Sequence, residues 1–165
     1  MEKLAYSKKA LGLIPLLFLI HNIEEIIMAK NFTPLFERTA FTYTPFALGV
    51  VMLSAVIILL FRMSEYYKFG KFFLHFNVGI LIGMVLNVLI SHIGGAIYLK
   101  QYTPGLATGI FLIFPLAWYI FKSDIKPNLH SASLRKSMLF IPLAFLVLAI
   151  TMLYLGLALS PILFT

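Results

Sequence analysis

Apolar positions in this chain fall into five long runs, residues 11–29, 44–61, 72–98, 104–121 and 137–160, separated by short polar stretches. A run of about 18 or more apolar residues crosses the hydrocarbon as a helix, because about 20 residues at 1.5 Å rise span its thickness. The pattern predicts an all-α fold, a polytopic bundle of about five transmembrane helices forming a single transmembrane domain. The third run is about 40 Å long if wholly helical, enough to tilt or protrude. Thr44 and Thr103 precede Pro45 and Pro104 as N-caps before a first-turn proline. Tyr66, Tyr67, Tyr98, Tyr102, Trp118 and Tyr119 fall where interfacial aromatic belts form. Residues 122–136 read as the one substantial loop, and Gly79 with Gly83 as a small-residue face for close packing.

Composition supports this reading. Of 165 residues 61% are hydrophobic and 12% charged, too few charges to cover a water-facing surface, and the mean hydropathy is +0.98. The absence of cysteine excludes disulfides, thiolate nucleophiles and soft metal ligands, so a metal site would have to use histidine and carboxylate.

The net charge of +7 changes the picture only through its placement. Lys3, Lys8 and Lys9, then Arg62, Lys68 and Lys71, then Lys122, Lys126, Arg135 and Lys136 lie in alternate connections, leaving Lys30, Arg38 and Lys100 for the other side. Cytoplasmic loops carry the excess, which predicts an integral protein of the cell membrane with its N-terminus in the cytoplasm and its C-terminus outside. The basic balance then implies contact with anionic membrane lipids and no nucleic-acid partner. Residues 1–25 also have the layout of a secretory signal peptide, but no small-x-small pair stands near Ile27 and Ala29, so cleavage is not expected.

Candidate chemistry begins with His21-Asn22-Ile23-Glu24-Glu25 inside the first run. Two ionised glutamates would cost about 5–7 kcal/mol on insertion, while ten apolar residues return only about 3–6. The helix must turn them inward, protonate them or neutralise them with a partner. At 100° per residue Glu24 lies about 60° to one side of His21 and Glu25 about 40° to the other, which makes one polar stripe.

The third run supplies Asn87, Ser91 and His92. The first and third runs cross in the same direction, so His92 should share the outer half of the bilayer with His21 and Glu25. His75, about 25 Å further along the helix, should not, and His130 belongs to the loop. Close approach of the first and third helices at this level is expected at Gly79 and Gly83 or at Gly94 and Gly95. Tyr102-Thr103-Pro104-Gly105 closes the short outer connection, which brings the Tyr102 hydroxyl within reach of the carboxylates.

Together the HNIEE segment, His92 and the YTPG segment resemble the HXXEE family of small membrane proteins, described by a His-x-x-Glu-Glu motif, a further histidine and a Tyr-x-Pro-Gly motif. The likeness covers about residues 11–121 in order. It implies that these residues matter together and implies no particular activity.

The leading expectation is an intramembrane metal site with His21, Glu25 and His92 as ligands, a His₂Glu set that leaves one position open. Zinc is the first choice, with iron or manganese accepting the same donors. Glu24 would act as general base or further ligand, Tyr102 as a hydroxyl donor, and the substrate would be a lipophilic small molecule arriving from the bilayer. Three alternatives remain: metal-free acid–base isomerisation or cyclisation of a lipid by Glu and His, proton or cation transport, and a polar core that only specifies helix pairing.

Overall fold

The computed structural model describes residues 6–32, 42–66 and 70–163. It contains five helices long and apolar enough to cross a membrane, α1 Lys8–Ala29, α2 Tyr43–Tyr66, α3 Phe72–Leu99, α4 Leu106–Asn128 and α5 Ala132–Leu163. No strand occurs among the described residues. Lys3, Arg38, Tyr67 and Lys68, used above for orientation and aromatic belts, lie outside them.

Side-chain pairs show how the helices run. Tyr6 and Phe73 meet near the starts of α1 and α3, and His21 and His92 meet further along both, so these two helices are parallel. Phe61 stacks edge-on with Phe76, which sets α2 antiparallel to α3. Asn22 donates to the Ser54 hydroxyl at 2.7 Å, and the Ser54 hydroxyl donates in turn to the Val50 carbonyl. Such internal pairing is what a polar side chain in a bilayer requires.

The fifth helix packs along α2 and α3. An added Cβ at Gly156 would lie 2.3 Å from the Pro45 carbonyl oxygen and 2.7 Å from the Gly49 nitrogen, so α2 and α5 cross backbone on backbone. A Cβ at Gly79 would meet Ile141, and one at Gly83 would meet Phe145. The small-residue face of α3 is therefore real, but it receives the branched and aromatic knobs of α5. It does not bring α3 to α1, contrary to the expectation above.

Several boundaries shift for local reasons. α2 begins at Tyr43, so Thr44 sits inside its first turn rather than ahead of it, with Pro45 in that turn as expected. α4 begins at Leu106 behind Gly105, not at Pro104. Thr103 does not cap it, because its hydroxyl donates to the His92 carbonyl at 2.7 Å. Most of the expected loop at 122–136 is helical: α4 continues through π and 3₁₀ turns to Asn128, and α5 starts at Ala132. The sequence signal missed there is Asp124, which is buried and accepts both the Ser7 backbone N–H and the Ser123 hydroxyl. Asp124 thereby holds the helix to the start of α1 beyond the apolar run.

Candidate functional site

His21 and Glu25 stand one turn apart on α1, and both face α3. The Glu25 Oε1 atom is 3.6 Å from His21 Nε2 and 3.0 Å from His92 Nε2. The two imidazoles meet edge to face with centroids 5.0 Å apart, and both are buried. One donor atom from each of the three residues lies within 4.8 Å of the others. His75 and His130 belong to no such group among the described residues, and His130 instead faces the Pro127 carbonyl at 3.0 Å.

Local winding places His92. Val88–Gly94 forms a π-helical segment, and the Asn87 amide lies 3.0 Å from His92 Nε2, five residues on. In an α-helix residues five apart point about 140° away from each other. The i→i+5 pattern of the π segment returns them to one face.

The connection from α3 to α4 closes over the cluster. Gly105 has φ +86°, and an added Cβ there would sit 2.7 Å from His92 Cε1 and 2.8 Å from His21 Cε1. Glycine is required for both the left-handed backbone and the space beneath it. The close approach of α1 and α3 thus depends on Gly105; Gly94 meets only the Leu89 carbonyl, and Gly95 meets Thr103.

One participant was not singled out in the sequence, Thr108. Its hydroxyl is 2.8 Å from His21 Nδ1, which leaves Nε2 turned toward Glu25 and His92. His21 Nε2 is buried without a hydrogen-bond partner. The available signal was a threonine in the first turn of a helix that follows the YTPG segment, a position usually read as capping chemistry.

Glu24 and Tyr102 come together in a different place. Glu24 accepts the backbone N–H groups of Ala107 at 3.2 Å and Thr108 at 2.8 Å, and the Tyr102 hydroxyl donates to it. The carboxylate closes the N-terminus of α4, where unpaired N–H groups and the helix dipole favour negative charge. Burial, reinforced by the bond to Glu24, pushes the Tyr102 phenol up to about 12.

A cavity of about 720 Å³ adjoins the cluster. His21, Glu25, His92, Asn87 and Ser91 contribute to its wall, and Glu24 and Tyr102 do not. Most of the remaining lining is apolar, including Phe18, Leu53, Met84, Phe145 and Ala149.

These features define a helical membrane protein with a buried His/Glu cluster at the head of an apolar cavity. The family described as proteins of unknown function with an HXXEE motif matches residues 12–120, and the chain belongs to it. No curated protein and no solved structure matches the chain.

Proposed function

We propose that the protein is an intramembrane metal-dependent enzyme acting on a lipophilic substrate, with His21, Glu25 and His92 as the metal ligands. The observation that carries this reading is the convergence of three donors, one of them an orphaned buried imidazole nitrogen, on the wall of an apolar cavity. Ligand bonds of about 2.0–2.1 Å in a tetrahedral site put the donors about 3.3 Å apart, close to the 3.6 and 3.0 Å that separate Glu25 Oε1 from the two histidines. His92 Nε2 would exchange its Asn87 contact for the ion, and Thr108 on His21 Nδ1 would fix the ring in the required tautomer. Zinc suits the donor set first, with iron or manganese as alternatives. The ion would supply Lewis-acid activation of a water or a substrate oxygen.

Glu24 and Tyr102 enter this proposal as positioning residues. Glu24 accepts the Thr108 N–H and so holds the hydroxyl that orients His21, Tyr102 donates to Glu24, and the cavity is lined by Glu25 alone of the two carboxylates.

Metal analysis of the purified protein tests the assignment. About one divalent ion per chain is expected in the wild type, with loss in Glu25→Gln and His92→Gln variants that still elute as folded protein. A wild type free of metal after loading with zinc, iron and manganese overturns it. The 3.0 Å separation of Glu25 and His92 favours a second reading in that event, a metal-free acid–base pair acting on the same substrate class.

A further inference from the structure

The cavity itself restricts the substrate. We infer that it binds one uncharged, single-chain lipid, with its polar group at the His21–Glu25–His92 cluster and its hydrocarbon chain running along α5 toward Met138. The assignment of the polar end rests on the functional reading above; the chain-binding part rests on the cavity alone.

Polarity sets the direction. The histidines and the carboxylate in the wall are gathered at the cluster, with Asn87 and Ser91 also in the wall, while the α5 side is apolar from Met138 to Leu153. Those fifteen residues of rise correspond to about 22 Å, the dimension of an extended chain and not of a compact ring system.

Size sets the number of chains. At about 30 Å³ for each water-sized group, a cavity of about 720 Å³ accommodates about two dozen such groups. That matches one long chain with a small head.

Charge sets the head. No lysine or arginine lines the cavity among the described residues. Phosphate recognition relies on such donors. A phosphate or diphosphate would face the Glu25 carboxylate without them, whereas an alcohol, aldehyde or ester oxygen brings no charge to balance.

The way in is lateral. Leu86 and Ile90 on α3 and Leu139, Leu143 and Leu146 on α5 line the cavity and are exposed, so the cavity is open along these two helices. A lipid can therefore enter past Ile90 and Leu146, beyond the Gly83–Phe145 contact of α3 and α5, without leaving the hydrocarbon. Met84 and Phe145 line the interior and are only 2% and 8% exposed, so bulk lipid does not reach them.

The test uses the full chain in phosphatidylcholine nanodiscs and hexadecanol carrying a diazirine on its alkyl chain, with cross-links mapped by mass spectrometry. Labelling is expected at Met84 and Phe145, competed by plain hexadecanol and not by hexadecyl phosphate at the same concentration. Ala149→Trp, which fills the lumen, should lower that labelling about tenfold, and Val147→Trp on the outer surface should leave it unchanged. Should Ala149→Trp fail to fold, Leu146→Trp at the mouth takes its place. Labelling confined to outer-surface residues, equal competition by hexadecyl phosphate, or indifference to the filling variant overturns the inference. Glu25→Gln separates the two proposals, because it should abolish metal uptake while chain labelling persists. Labelling of a wild type that takes up no metal sinks only the metal assignment, and metal uptake without labelling sinks only the lipid.

Discussion

Glu24 on α1 accepts the backbone N–H of Thr108 on α4 at 2.8 Å, so a carboxylate of one helix closes the N-terminus of another. The relation is returned at the opposite end of the pair, where Asp124 of α4 accepts the N–H of Ser7 at the start of α1. Two antiparallel helices are thereby tied at both ends by acidic groups placed where helix dipoles are positive. The arrangement also bears on the insertion problem of the HNIEE segment: Glu24 is stabilised by the N–H groups of Ala107 and Thr108, and Glu25 is turned inward toward His21 and His92.

Substituting Glu24→Gln should therefore act on stability before metal. Loss of charge-assisted bonds is expected to cost about 1.5–3 kcal/mol in denaturation of the purified protein, with metal content retained. Unchanged stability combined with lost metal would make Glu24 a ligand.

Gly105→Ala should disturb the cluster without altering any polar group. The left-handed backbone alone costs about 1–2 kcal/mol, and the new methyl would press on both histidine rings. Metal affinity should fall together with thermal stability, while Gly12→Ala, at a negative φ of −67°, should leave metal binding intact. Normal metal affinity in Gly105→Ala would refute the claim that this glycine makes the space for the rings.

The Tyr102 phenol carries a pH signature. Its pKa of about 12 in the fold exceeds the ordinary value of about 10, so the neutral form is favoured by folding. The stability that Tyr102 adds over Tyr102→Phe should be fully present below pH about 10 and disappear as pH rises through about 12. A difference between the two proteins that shrinks already near neutrality would contradict this assignment.

The split of ten lysines and arginines against three predicts the orientation. A reporter fused after Thr165 should be active outside the cytoplasm, together with a site in the outer half of the bilayer. Cytoplasmic activity of the reporter would invert the whole molecule or change the number of spans.

The five long apolar helices and the convergence of His21, Glu25 and His92 were legible in the amino-acid order, because transfer into hydrocarbon is scored residue by residue and polar groups inside an apolar run stand out against it. Helix direction, read from alternate loops, also placed His92 rather than His75 beside α1. The boundaries at 122–136 were not legible: Asp124 looks like a loop residue until Ser7 is brought against it, and Asn128 until its amide donates back to the Asp124 carbonyl. Three further features belong to the tertiary structure alone. The π winding that turns Asn87 and His92 to one face, the seat of Gly105 beneath two rings, and the separation of Glu24 from Glu25 each depend on which neighbour a side chain meets. Adjacent glutamates differ by 100° on a helix, and only the position of α4 decides that one closes a helix end while the other faces a cavity.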